Sequence, residues 1–290
     1  MYHTIYYFLV ANINHAFQTH HLLTSLIHAM STLNKRIKLD LLKSKISEHE
    51  KLQKFEDILD NAVLDGFLRG KRYNVEATLK SLEYFMYVRT QKYKAFTQKY
   101  LNPLSSTFLN VGKFKILKGK DAQGRRVGVD RFNLWDTRKY SVDEVMAEIV
   151  MVVDEAIRSY LVDSDRNDVV LIFDCEGISF DKARHGTPTR VFQALDLFMN
   201  SVPIRPAGLH LINVGHFVYF LIRIFKRFMK EKISNRIQVH ATLDSLHEHV
   251  PKLILPRSLG GELDNEYAFE TELVSRIRNN SEFYKRIADY

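Results

Sequence analysis

The residues best placed to do chemistry are two carboxylates, Asp174 and Glu176, which follow the apolar run Val169-Val-Leu-Ile-Phe173. Catalytic carboxylates of layered α/β enzymes commonly sit just beyond the end of such a strand. No acid, base or metal ligand can be named as a partner, so the pair is assigned to capping backbone amides in a tight turn ending at Gly177. His247-Glu248-His249 places two imidazoles at i and i+2, which do not share a helix face, and reads as solvated surface. Cys175 is the single cysteine. It excludes an intrachain disulfide and a zinc site of several cysteines, and points to a reducing compartment. There is no Gly-x-Gly-x-x-Gly loop, no phosphate loop ending in Gly-Lys-Ser/Thr, no Gly-x-Ser-x-Gly elbow and no His-Glu-x-x-His pair. Nucleotide binding, serine hydrolysis and zinc proteolysis therefore lose support. No catalytic residue, metal or cofactor is assigned, and the chain is not expected to be an enzyme.

A different chemistry lies in the charge. Of the net +8, the 53 residues from Arg205 to Arg257 carry +6, with nine Lys or Arg against Glu231, Asp244 and Glu248. Such a surface attracts nucleic acid or an anionic membrane. Within it, Arg223, Lys226, Arg227 and Lys230 recur at the spacing of one helix stripe, and Phe217, Leu221, Ile224, Phe225 and Phe228 mark the other side. An aromatic face with a basic edge suits an element that covers an apolar cavity or lies at a lipid interface. A core helix with snorkelling cations has the same pattern. The stripe lies on an amphipathic helix without a groove-reading motif, which argues against nucleic acid.

These side chains need a frame, and 290 residues of which 46% are hydrophobic can bury a sizeable core. Residues 1–34 contain no Asp, Glu, Lys or Arg and read as an extension of uncertain order. The apolar run after Met1 lacks the preceding Lys or Arg of a secretion signal. Residues 35–101 have helical periodicity, with Asn74 as an N-cap for a helix from Val75 to about Lys92. Residues 102–262 alternate strand-like and helical segments. Lys113–Leu117 and Arg126–Phe132 flank a turn at Asp121–Gly124. Val169–Phe173, Gly208–Asn213 and Ile237–His240 read as strands, separated by helices at Val142–Leu161, Pro188–Asn200 and His216–Lys230. The expected class is α/β: a small helical domain, then a layered domain with a mostly parallel sheet. Residues 263–290 form an acidic tail. No run is long and apolar enough to span a membrane.

Several further strings stand out in order along the chain. The first is Asp60-x-x-Val63-Leu64-x-x-Phe67-Leu68-Arg69-Gly-Lys-Arg-Tyr73-Asn74. It is followed in order by Asp121-x-x-Gly124-Arg-x-Val127, Ile172-Phe173-Asp174-Cys-Glu176-Gly177, and Pro203-x-Arg205-x-x-Gly208-Leu-His210-Leu-Ile-Asn213. Lys232-x-x-x-Arg236-Ile-x-x-His240 and Leu255-Pro256-x-x-Leu259-Gly260-Gly261 complete the set. Together these strings resemble the CRAL/TRIO family of lipid-binding and transfer proteins, in particular its tocopherol- and retinaldehyde-carrying members.

The resemblance implies one hydrophobic ligand in a closed cavity between the sheet and a gate helix at about His216–Lys230. By resemblance Phe173, Ile178, Phe180, Ala194, Phe198, Val202, Ile204 and Leu209 line the fixed wall, and Leu221, Ile224, Phe225 and Phe228 the gate. Val150 and Asp154 stand where tocopherol carriers have serines near the ligand. Arg205, Lys232 and Arg236 match three bases of a phosphoinositide head-group site, whose fourth position here is Ala207. The implied function is a cytoplasmic, transiently membrane-peripheral, monomeric carrier of a tocopherol- or retinoid-like lipid. Alternatives are phosphatidylinositol or phospholipid transfer, a phosphoinositide-sensing adaptor and, least favoured, a lipid-modifying enzyme.

Overall fold

The structure is a computed structural model and describes residues 29–164, 166–227 and 231–290. The first helix, α1 (residues 29–47), begins inside the expected extension; the rest of that segment lies outside the described residues. Next come α2 (Asn61–Gly70), α3 (Val75–Tyr87) and α4 (Lys94–Tyr100). The starts of α2 and α3 are each set by a side chain replacing a missing helical partner. Asp60 accepts from the Val63 amide at 3.0 Å, and Asn74 from the Ala77 amide at 2.9 Å.

The strands β1 (Phe114–Lys120), β2 (Arg126–Arg131), β3 (Asp168–Asp174), β4 (Arg205–Ile212) and β5 (Ile237–Val239) form one sheet in sequence order. The β1–β2 pair is antiparallel and the remaining pairs are parallel. The hairpin turn is held by Asp121, whose carboxylate accepts from the amides of Gln123 and Arg125, with Gly124 at φ +74°. The parallel strands are joined through α5 (Val142–Glu155), then α6 (Phe180–Ala183) and α7 (Pro188–Leu195), then α8 (His216–Lys226) and α9 (Glu231–Ser234). Helix α5 starts with a reciprocal capping box between Ser141 and Glu144. Helices α3, α5 and α7 each run on into a wider π turn, at Val88–Lys92, Ala156–Tyr160 and Asp196–Asn200.

Strand alternation sorts the two faces of the sheet. Val170, Ile172 and Ile212 pack with Leu246, Val250, Leu255 and Leu259, which follow β5 in and after α10 (Leu243–His247). The other face carries Val169 and Leu171 against α5 and the amino-terminal helices. The segment expected as an acidic tail is built into this larger core. After α11 (Asn265–Ala268), α12 (Leu273–Asn279) and α13 (Ser281–Ala288) bury Leu273, Ile277, Phe283, Tyr284 and Ile287 beside Leu42, Phe55 and Phe96. A hydrophobic stripe every three to four residues outweighs a small excess of acids.

The helical half is keyed to the sheet by a buried amide. Asn167 donates to the carbonyls of Gly66 and Pro203, at 2.8 and 3.1 Å, and accepts from Arg69 Nε at 2.9 Å. This contact needs bare backbone: a Cβ on Gly70 would stand 2.4 Å from the Pro203 carbonyl oxygen.

Candidate functional site

Parallel partners in register point to the same face of a sheet. Leu171 pairs with Leu209, Phe173 with Leu211, Leu209 with Ile237 and Leu211 with Val239. The face that carries Leu171 into the main core thus continues toward α8 as Phe173, Leu209, Leu211, Ile237 and Val239. Of the expected wall, Val202 and Leu209 are buried, while Phe173, Ile178, Ala194, Phe198 and Ile204 are half-buried. Ala194, Phe198 and Ile204 pack against the rim of the main core. Phe180 is 75% exposed, and its ring meets that of Phe217 at 6.1 Å between centroids, so the segment after β3 touches the start of α8.

Helix α8 presents the expected face in part, turned further toward Val218 and Ile222. Val218 is buried, and Leu221 and Ile222 are half-buried, whereas Phe217, Phe220 and Ile224 are exposed. Ile224 therefore belongs to the outer surface rather than the lining. The side chain of Phe225 and all of Phe228 lie outside the described residues. The sequence pattern located the helix but not its rotation, because α8 is apolar over most of its circumference. A groove of about 490 Å³ runs between α8 and β5, bordered by Tyr219, Ile222, Arg223 and Lys226 on one side and Ile237, Val239 and His240 on the other. Two cations of the basic stripe thus flank an apolar channel, and Lys226 Nζ also donates to the Ile237 carbonyl at 3.2 Å.

Val150 is fully buried in the main core. Asp154 corrects the expectation of a pocket carboxylate: it is committed to other side chains. Its Oδ1 accepts from Arg89 at 2.8 Å, and its Oδ2 from the Tyr284 hydroxyl at 3.4 Å. Arg89 is fully buried, lies over the Phe85 ring at 3.7 Å, and also donates to Ser201. Burial pushes the Asp154 carboxyl above its ordinary range, and the Arg89 guanidinium opposes that shift. The group joins the π turn after α3 to α5 and α13, and no local pattern marks it, since Arg89 is 65 positions from Asp154.

The three expected head-group bases lie toward one end of the sheet. Arg205 opens β4 and faces Asp168, with Nε to Oδ1 at 3.4 Å. Arg236 immediately precedes β5, and its guanidinium donates to the Pro206 carbonyl, next to Arg205. Lys232 is exposed on α9, the turn of helix leading to Arg236. Ala207 sits between Pro206 and Gly208, half-buried against the opposite face.

The two carboxylates after β3 behave as turn residues. Asp174 accepts from the Glu176 amide at 3.1 Å and from Asn213 at 2.8 Å, Glu176 accepts from Asn133, and Gly177 has φ +71°. The solvated reading of the histidines holds for His249 and not for His247. His247 is largely covered and meets the Leu259 carbonyl at 3.0 Å. His249 is exposed, yet its ring lies 5.1 Å from that of His210 and 5.6 Å from that of His240. Helix α10 ends at His247, so helical spacing does not govern the pair. Burial holds the Cys175 thiol up at about 12, well away from a reactive thiolate. Among the described residues no helix is long and apolar enough to cross a membrane.

The CRAL/TRIO domain model matches residues 110–261. The chain is 30% identical over 210 residues to an alpha-tocopherol transfer protein-like protein of Mus musculus, covering 71% of this chain and 60% of that protein. It is 27% identical over 242 residues to clavesin-2 of Rattus norvegicus, covering 79% and 73%. The chain thus spans about 60% of the length of the tocopherol transfer protein-like relatives it matches. Among solved structures, that of Sfh5 covers 86% of this chain and 97% of its own, with a TM-score of 0.47 and 13% identity. The domain match takes in the whole sheet, α8 and the groove beside it, and on it this chain belongs to the CRAL/TRIO family, whose members bind and transfer lipophilic ligands.

Proposed function

We propose that this protein is a carrier that holds one hydrophobic, tocopherol- or retinoid-like lipid between the sheet and α8 and exchanges it with membranes. The supporting observation is the incomplete burial of an apolar wall. Phe173, Ile178, Ala194, Phe198 and Ile204 are only half-covered by protein, and α8, with aromatic residues on its outer side, borders a groove against β5. A lipid gains about 0.8 kcal/mol for each CH₂ removed from water, so a cavity competes with a bilayer only when it covers nearly all of the ligand. Release then requires α8 to move away.

In this reading Phe217, Phe220 and Ile224 enter the membrane surface as α8 opens, while Arg205, Lys232 and Arg236 hold a phosphoinositide head group. Each base near an anionic surface contributes on the order of 1 kcal/mol, which gives reversible attachment suited to a shuttle. The protein acts as a monomer, cytoplasmic and transiently membrane-bound, and needs no cofactor and no catalytic step.

Organic extraction of the purified protein followed by mass spectrometry identifies the ligand; recovery of no lipid, and no uptake of any from vesicles, would sink the reading. Replacing Arg205, Lys232 and Arg236 together by Gln should slow transfer to phosphoinositide vesicles while leaving ligand affinity in solution unchanged. Equal loss toward phosphatidylserine vesicles of matched charge would mean a basic surface without a head-group site. Ala207→Arg should raise phosphoinositide affinity.

A further inference from the structure

Helix α1 carries two apolar stripes. Leu42 and Ile46 are buried in the main core and Leu39 packs against it. Met30, Leu33, Ile37 and Leu41 are 69%, 59%, 54% and 42% exposed. Their steps of three, four and four residues align them along one line of the helix. At about 100° per residue, this line is nearly opposite the buried one. The bases between the stripes are distributed on both sides: Arg36 and Lys43 fall along one flank and Lys38 and Lys45 along the other. Lys45 also bridges to Glu76 at 2.9 Å. Over residues 29–47 the acids amount to Asp40 alone, against five Lys or Arg.

A helix in a folded domain needs only its inward stripe. A second, solvent-facing stripe has no role in the core, and its exposure costs solubility. The stripe is one side chain wide and has cations on both flanks. That geometry fits an extended anionic plane, in which apolar groups enter the head-group boundary while long basic side chains reach sideways to phosphates. A protein partner of ordinary interface size would need a broader patch. We propose that α1 is a membrane-contact element that lies along an anionic bilayer, separate from the α8 surface and from the Arg205, Lys232 and Arg236 set. Two attachments on one molecule raise the residence time of each through effective concentration.

The test uses the full chain with Ile37→Cys, labelled with a polarity-sensitive fluorophore; the other thiol, Cys175, is buried. Vesicles of phosphatidylcholine containing phosphatidylserine, and no phosphoinositide, should shift the emission to the blue, and phosphatidylcholine alone much less. Leu33→Ser with Leu41→Ser should lower vesicle partitioning at least tenfold, since the two apolar side chains no longer gain from leaving water at the head-group boundary. Thermal stability should not change, because both sites are exposed in the fold. The shift should persist when Arg205, Lys232 and Arg236 are all Gln, which separates failure of this element from failure of the carrier reading. Three results would overturn the proposal: no shift with any vesicle, a vesicle-free shift that grows with protein concentration and reports a second copy on the stripe, or a vesicle-free shift removed by deleting residues 1–28.

Discussion

His210 and His240 form a chain whose proton positions follow from its ends. Ser245 donates its hydroxyl to the Thr242 carbonyl, so its oxygen accepts from His240 Nδ1 at 2.9 Å. His240 Nε2 is then the acceptor for His210 Nδ1, at 2.8 Å. A proton added to His240 Nε2 would face the His210 N–H and break the pair. Burial, with His240, His249 and Arg125 nearby and only Asp121 opposing, lowers His210 to about 4, and His240 is lowered for similar reasons with Glu248 opposing. The unfolded chain takes up these protons near pH 6.5 and the folded one does not. The contribution to stability is therefore complete above pH 6.5 and lost as pH falls toward 4. The melting temperature should drop by several degrees over that window, measured by scanning calorimetry, and His210→Gln should flatten the drop. An identical pH profile in the variant would refute the assignment. The buried group around Asp154 responds to removal of a partner. Arg89→Met removes the ion-pair partner of buried Asp154, leaving it the Tyr284 hydroxyl and the more distant Arg158, and should destabilise by about 3–5 kcal/mol in denaturant titrations. Adding Asp154→Leu should recover a large part of that loss.

At the level of helices and strands, most of the architecture was legible because it is local. The hairpin turn, the three parallel strands and the helices between them follow from runs, caps and turn residues within about 20 positions of one another. The rotation of α8 was not legible, because an apolar arc wider than half the helix does not reveal which part of it meets the sheet. Asp154 was misplaced for a related reason, its partners Arg89 and Tyr284 being supplied by helices remote in sequence. The gate prediction follows from the observed rotation. Ile222→Asp, at the groove, should weaken equilibrium ligand binding at least tenfold, because an unpaired carboxylate against an apolar ligand is costly. Phe220→Ser, on the outer side, should leave that affinity intact and slow only vesicle transfer. Equal effects of the two variants in a fluorescence binding assay would place α8 in another orientation.

The whole molecule is knitted across its length. Arg286 pairs with Asp57, the Tyr290 hydroxyl donates to the Lys54 carbonyl, and the Tyr290 ring packs on Phe55 at 4.7 Å. Ending the chain after Glu262 removes Leu273, Ile277, Phe283, Tyr284 and Ile287 from the main core. That loss is on the order of 10 kcal/mol, comparable with the entire stability of an ordinary domain. The shortened chain should show no cooperative melting transition, and retention of the parent transition would contradict the shared core. During synthesis the same closure sets a delay. Lys54 and Tyr290 are 236 positions apart, which a ribosome covers in roughly 10–50 s. Over that interval the sheet can pair while the first-made helices still expose the surface meant for α12 and α13, making the nascent chain a client for chaperones. A chain interrupted before α12 therefore leaves the helices that were made first without their packing partners.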